Sequence, residues 1–238
     1  MEEKLNGIVL SGVSFGENDK ILNIFTLEKG TVSAIIKGVK KAGAKLKFAS
    51  EPFCFAEFVF SVRGERRTVI GASLTDSFYP LRTDIVKFYC GGAVLEYVKR
   101  FVPENVVSVD LFLLAVETLK ALAYGACVPT LSLVKFLSEA LKLSGYALDF
   151  SGCARCKVVP EGRVFFDYSC GAFYCEKCFD GAGREINAET FFALKKTADG
   201  ECVSVKESVA ALKLLDFYIS VKPEENLKAL KELLKICN

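Results

Sequence analysis

Histidine and tryptophan are both absent from this 238-residue chain, and there is a single methionine. Without histidine there can be no Ser-His-Asp triad, no Cys-His nucleophile pair and no imidazole metal ligand, and the side chain that most often moves protons near neutral pH is missing. Long hydrophobic runs are also lacking. The most apolar stretches, Leu111–Val116 and Ala121–Val134, are interrupted or flanked by Lys120, Gly125 and Pro129, well short of the ~20 apolar residues that a membrane-spanning helix requires. The opening MEEKLNGIVL places no basic stretch before an apolar one, so no secretory signal and no membrane partner are expected. No Walker loop, G-x-G-x-x-G, nucleophile elbow or paired-carboxylate motif occurs, and Glu17 with Asp19 reads as a turn. No catalytic residue is assigned and the chain is expected not to be an enzyme.

What is present is ample core-forming material, with 51% of the residues apolar and 20 phenylalanines, which excludes a disordered chain. Up to about residue 80 the pattern is β. Gly7–Val13, Lys20–Leu27 and Thr31–Lys37 read as strands, the last two joined by a turn in which Gly30 is free to take positive φ. Pro52–Val62 and Thr68–Asp76 read as a second hairpin around Arg63-Gly64-Glu65-Arg66. In Pro52–Val62, Phe53, Phe55 and Val59 share one face while Cys54, Ala56, Phe58 and Phe60 share the other, so both faces are expected to be covered. Five short strands in this length fit a small closed barrel of the OB type. From Leu81 the period changes to that of helices: Asp84–Phe101, Val109–Tyr124, Thr130–Leu143, Asn187–Lys196, Val205–Ser220 and Glu224–Ile236, with Pro223 in the first turn of the last. The expected fold class is therefore α+β multidomain. An N-terminal OB-type five-stranded β-barrel (1–80) is expected to form a nucleic-acid-binding domain, followed by an α-helical domain (81–238) expected to carry an inserted four-cysteine zinc knuckle at about 150–185.

The sharpest local signal is Cys153-Ala-Arg-Cys156 followed after eighteen residues by Cys175-Glu-Lys-Cys178. Each C-x2-C turn aims two thiolates at one centre, and two such turns complete a tetrahedron around Zn²⁺. Arg155, Lys157 and Lys177 would offset the net charge of a four-thiolate site. Ten cysteines without an export signal point to a reducing compartment, where paired cysteines serve as metal ligands more often than as disulfides. Free thiols or disulfides are the bland alternative, and a redox C-x2-C lacks its usual βαβ setting. Cys170 is a fifth thiol that could replace a ligand. Most of Cys54, Cys90, Cys127, Cys202 and Cys237 are expected to be small apolar fillers.

Net charge is only +2, but it is unevenly placed: between Lys37 and Arg67 eight basic residues face three acidic ones, a local excess of +5. Lys37, Lys40, Lys41, Lys45 and Lys47 fall in a small-residue loop that can lie close to a phosphate backbone, and Arg63, Arg66 and Arg67 fall on a hairpin of the same domain. Phe15 and Phe48 are candidate stacking residues, although core burial is the commoner fate of a phenylalanine, and a lysine-rich loop is often only a solvated segment.

Together these segments resemble the RecO family of bacterial recombination mediators. The resemblance is carried by Gly7-Ile-Val-Leu, Gly16-Glu-Asn-Asp-Lys-Ile-Leu, Phe25-Thr-Leu-Glu-Lys-Gly, Lys37-Gly-Val-Lys-Lys, Phe78-Tyr-Pro-Leu-Arg-Thr-Asp, Leu95-Glu96 with Tyr97, Gly145-Tyr-Ala-Leu-Asp running into Cys153, and Phe166-Asp167 ahead of Gly171 and Cys175. It departs from the family where Gly171-Ala172, with Cys170 ahead, replaces a Gly-Gly pair. The resemblance implies a protein that binds single- and double-stranded DNA, anneals complementary strands, and helps load RecA onto DNA coated with single-strand-binding protein. Its implied partners are RecR, RecF and the tail of single-strand-binding protein, and its implied location is the bacterial cytoplasm at the nucleoid. It places Lys37, Lys40, Lys41 and Lys45 on the basic loop of the barrel and one structural Zn²⁺ on Cys153, Cys156, Cys175 and Cys178. The competing expectation is a zinc-stabilised scaffold for protein interactions in which DNA contact is incidental; a metalloenzyme or thiol oxidoreductase is a third.

Overall fold

A computed structural model describes residues 1–181 and 183–237. Five strands, β1 (Glu2–Phe15), β2 (Asp19–Thr26), β3 (Gly30–Ile36), β4 (Phe55–Arg63) and β5 (Arg66–Asp76), close into a barrel in the order β1-β2-β3-β5-β4. The expected OB-type barrel is present. β1 is longer than its apolar stretch suggests: Glu2–Ile8 pairs with β4, and from Gly7 onward the strand pairs with β2, with an irregularity between Val9 and Ser11 that lets one strand serve both neighbours. The parallel seam β3–β5 completes the closure with Ile35 opposite Thr68 and Ile36 opposite Val69.

Alternation decides what enters the barrel. Leu22 and Ile24 of β2, Val32, Ala34 and Ile36 of β3, and Ala56, Phe58 and Phe60 of β4 form one buried cluster. The opposite face of β4 is only half-buried at Phe55 and Val59. Phe53 is not part of the strand: it sits at φ 69°, and a second buried phenylalanine, Phe78, sits at φ 45°. One side chain braces both turns. The Arg82 guanidinium donates to the Pro52 carbonyl at 2.6 Å and the Ser77 carbonyl at 2.7 Å, each immediately before a left-handed residue, and lies 5.6 Å from the Phe53 ring centre.

Among the described residues six helices follow: α1 (Ile85–Phe101), α2 (Val109–Tyr124), α3 (Pro129–Leu143), α4 (Ala188–Ala198), α5 (Val205–Val221) and α6 (Lys228–Ile236). The chain divides into two compact units that interleave in sequence. One comprises Met1–Thr83 with Leu95–Ala123, and the other Asp84–Val94 with everything from Tyr124 onward. Within the first, Phe112 of α2 packs against Phe25 and Phe55 on the outside of the barrel, at ring separations of 5.3 and 6.1 Å. The loop between α1 and α2 closes on the β2–β3 turn, where the Asn105 amide donates to the Thr31 carbonyl at 3.0 Å.

The second unit joins helices to a four-stranded sheet, β6 (Asp149–Cys153), β7 (Val164–Asp167), β8 (Ala172–Cys175) and β9 (Arg184–Ile186), in the order β6-β8-β7-β9. Phe166 of β7 and Phe173 of β8 meet Tyr218 of α5 and Phe191 of α4 at 5.6 and 5.1 Å, so aromatic packing fixes the sheet to the helices. Local chemistry sets the helix starts. Asn187 caps α4, Ser204 and Glu207 form a capping box on α5, and Pro129 opens α3. The last helix begins four residues later than its periodicity suggests, at Lys228 rather than Glu224. Glu224 takes φ 57°, and the chain turns there to bury Leu227 before the first helical turn forms.

Gly30 has φ 67°, and a Cβ built on it would stand 1.9 Å from the Val106 carbonyl oxygen. Gly30→Ala is expected to destabilise the protein by about 2–4 kcal/mol, from backbone strain plus steric overlap, read as a lower urea midpoint.

Candidate nucleic-acid interface and metal centre

The basic loop leaves β3 at Lys37 and turns at Gly38, whose amide donates to Asp19 Oδ1 at 2.7 Å, while the Lys40 amide donates to the Asn18 carbonyl at 3.0 Å. Asp19 thus closes a turn. Buried Val39 anchors the loop, and the 3-10 turn Phe48–Ser50 ends it with Ala49 fully buried. Lys37, Lys40, Lys41, Lys45 and Lys47 are all exposed. Lys40 Nζ donates to the neutral Gly16 carbonyl at 3.3 Å, which leaves its charge uncompensated. Arg63 and Arg66 are exposed where β4 turns into β5.

Arg67 differs. Its Nε donates to Glu3 Oε2 at 3.5 Å and its side chain is 18% exposed, while Lys29 pairs with the same carboxylate. This pairing links residues far apart in sequence and removes Arg67 from the free cations. Lys20 is likewise occupied, by Glu51 at 3.1 Å.

The two basic groups lie at different stations on the β3–β5 seam. Lys37 follows Ile36, which lies opposite Val69 at the end of the ladder, whereas Arg66 lies three positions before Val69 on β5, about 10 Å away along the strand. Of the two candidate stacking residues, Phe15 is 49% exposed, whereas Phe48 packs against the barrel core.

The cysteine pairs come together in the second unit. Cys153 ends β6 and Cys175 ends β8, so the sheet sets the two turns side by side. Backbone hydrogen bonds close each turn: the Lys157 amide donates to the Cys153 carbonyl at 2.8 Å, with Lys157 at φ 63°, and the Cys178 amide donates to the Cys175 carbonyl at 3.0 Å. Beneath them Phe165 and Phe179 stack at 3.9 Å. The Sγ atoms of Cys153, Cys156, Cys175 and Cys178 all lie within 4.8 Å of one another, and those of Cys156 and Cys175 are 3.8 Å apart. A tetrahedron of thiolates around zinc, with Zn–S of about 2.3 Å, has edges of about 3.8 Å. The donor set and its dimensions fit a tetrathiolate ion.

The thiols do not share one environment. Cys153 is buried, Cys175 and Cys178 are half-buried and Cys156 is exposed. Burial raises the Cys153 thiol, but the amides of Cys156, Cys175 and Arg155 and the Cys156 side chain outweigh it and bring it down to about 6. Cys178 is pushed up to about 12, first by its hydrogen bond with Cys175, then by desolvation and by Cys156 and Cys153. Thiolates this close together repel one another, and a divalent ion between them would remove that repulsion. Cys170 stands outside the group, with its Sγ 3.9 Å from the Asp167 carbonyl oxygen. Of the remaining five cysteines only Cys54 and Cys90 are buried; Cys127 and Cys202 are exposed and Cys237 is half-buried, so the expectation that most are core fillers is corrected. Among the described residues no helix is long and apolar enough to cross a membrane.

A closed five-stranded barrel with exposed cations, followed by helices bearing a four-thiol centre, defines a class of OB-barrel proteins with an inserted cysteine cluster whose geometry could hold a metal ion. Residues 1–78 match the family described as Recombination protein O N terminal, and residues 82–231 match Recombination protein O C terminal. The chain belongs to the RecO family. It is 33% identical over 202 residues to the DNA repair protein RecO of an Anaeromyxobacter species, covering 83% of this chain and 79% of the relative. It is 33% identical over 181 residues to the Streptomyces coelicolor protein of the same name, covering 73% of each. With that of Caldicellulosiruptor saccharolyticus it shares 29% over 186 residues, covering 78% of this chain and 76% of the relative.

Glu3 supplies a test of the barrel's ion network. Burial raises its pKa, but Lys29 and Arg67 more than offset this and hold it below the ordinary carboxylate value. The stabilisation is therefore complete above the unfolded-state pKa, about 4.3, and is lost as pH falls through the folded-state value. Glu3→Gln is expected to cost about 1 kcal/mol at neutral pH, and denaturant titrations at decreasing pH should show the gap between wild type and variant closing below pH of about 4.

Proposed function

We propose that this protein is a DNA-repair and recombination mediator without catalytic turnover. It captures single- and double-stranded DNA on the barrel, anneals complementary strands, and helps load RecA onto DNA coated with single-strand-binding protein. RecR is its principal partner, with RecF and the tail of single-strand-binding protein as further ones, and it works in the bacterial cytoplasm at the nucleoid. Family membership supports the repair role. The observation that carries the DNA-binding reading is the set of cations on one small barrel that have no acidic partner: Lys37, Lys40, Lys41, Lys45, Lys47, Arg63 and Arg66 are all exposed and none forms an ion pair among the described residues. Arg67 contributes more to the barrel's own stability than to DNA. Lysines on a mobile stem suit phosphate contact without base readout, as a mediator indifferent to sequence requires, and half-exposed Phe15 offers a ring for an unpaired base.

In this reading Cys153, Cys156, Cys175 and Cys178 hold one structural Zn²⁺. The ion neutralises the thiolates and staples the two turns, while four sulfur donors leave no position for a reacting water. The competing scaffold reading keeps the zinc and treats the basic loop as solvated surface.

Fluorescence anisotropy with a labelled single strand and a duplex separates the two. For about six phosphate contacts on duplex DNA, log K is expected to fall against log salt with a slope of roughly −5. Lys40→Glu with Lys41→Glu should weaken binding and flatten that slope; wild-type binding by the double variant would remove the loop from the interface. Metal analysis is expected to find one zinc equivalent per chain. Chelation or Cys153→Ser should lower the melting temperature, because metal binding at such a site is folding free energy; unchanged melting would count against a structural ion.

A further inference from the structure

The four-thiol centre is built asymmetrically. Cys153 is fully buried and held by backbone amides, whereas Cys156, Cys175 and Cys178 line a recess of about 470 Å³ whose other walls are Val158–Arg163 and Glu176-Lys177. The recess is open, Cys156 is exposed at its edge, and Cys156 Sγ lies 3.8 Å from Cys175 Sγ. Lys157 and Lys177 are exposed beside these thiols, and Arg155, also exposed, is paired with Asp180 at 2.7 Å. A small neutral oxidant therefore meets Cys156 first, with a second thiolate already within reach of the product.

We propose that Cys156 is an oxidant-reactive site, and that peroxide converts Cys156 and Cys175 to a disulfide with release of the metal. This rests on the reading of the centre as a zinc tetrathiolate. In the first step the Cys156 sulfur attacks one oxygen of hydrogen peroxide, the O–O bond breaks, and Cys156 becomes a sulfenic acid while hydroxide leaves. In the second, the Cys175 thiolate attacks the Cys156 sulfur, the S–S bond forms, and the S–O bond breaks with loss of a second hydroxide. Two thiolates and one peroxide thus give one disulfide and two hydroxides, with the sulfur pair oxidised by two electrons and the peroxide reduced. Cys153 and Cys178 alone cannot retain the ion, and it dissociates. Reduction of the disulfide in the presence of zinc reverses the change.

The sequence makes the mapping unambiguous, because Arg155, Lys157, Lys177 and Arg184 place Cys153, Cys156, Cys175 and Cys178 in four different tryptic peptides. Cys170 shares a peptide with Cys175, so the full-length zinc-loaded chain is used both as wild type and with Cys170→Ala. Peroxide is added without denaturant, zinc release is followed with a chromogenic chelator, and the peptides are mapped by mass. The expected result is stoichiometric zinc release, a linked peptide pair containing Cys156 and Cys175 that is two hydrogens lighter than its parts, and the same rate in Cys170→Ala. Dithiothreitol with zinc should restore the original metal content. Zinc that stays bound through a molar excess of peroxide overturns the proposal and leaves the zinc reading intact, as does a disulfide through Cys153 or Cys170. A protein that carries no zinc before peroxide is added overturns both readings.

Discussion

Closure of the barrel at the parallel β3–β5 seam is the constraint on which the N-terminal architecture depends. Two residue pairs, Ile35 with Thr68 and Ile36 with Val69, are all that join those strands in register. The other seams are longer and antiparallel and form between strands that a turn or the long β1 already holds together. The short seam is secured from inside by Ile36 and Val69, both in the buried cluster. It also fixes where charge can appear: the chain leaves β3 immediately after Ile36, so the lysines start where the ladder stops.

Charge in this unit is sorted by whether a carboxylate reaches it. Glu3 takes up Lys29 and Arg67, and Glu51 takes up Lys20, all with partly buried geometry. The remaining basic side chains of the loop and the β4–β5 turn have no carboxylate partner among the described residues. A net charge near zero for the whole molecule is therefore compatible with a strongly positive region, because local field depends on arrangement and not on the sum. The cysteine centre shows a parallel sorting by burial, with one thiol sealed among amides and another at the surface.

Much of this was legible in the sequence, and the parts that were not share a cause. Period-two alternation and the Gly30 turn located the barrel strands because those signals are local. The first residues of β1 escaped because Glu2–Lys4 look like a polar terminus and become a strand only through pairing with β4, some sixty residues away. Phe53 has a strand-like neighbourhood, yet Arg82 stabilises a left-handed turn there from thirty positions downstream. The late start of α6 follows from burial of Leu227, which periodicity alone does not report. At the candidate sites, the two C-x2-C pairs were readable from spacing, and the structure brings their four sulfurs together. The diversion of Arg67 to Glu3, the exposure of Cys127 and Cys202, and the unequal accessibility of the four clustered thiols all depend on tertiary contacts that no local window contains.

The interleaving of the two units bears on how the chain is made. The barrel's unit is incomplete until α2 has been synthesised, since Phe112 covers Phe25 and Phe55. The first half of α1, by contrast, belongs with segments translated much later: Gly92 comes so close to Ala229 of α6 that an added Cβ would stand 3.1 Å from the Ala229 Cβ. During synthesis on the ribosome, one end of a single helix can find its neighbours early while the other waits for residues more than a hundred positions downstream. Nascent chains stalled before α6 would thus leave the Gly92 side of α1 without the neighbour it packs against.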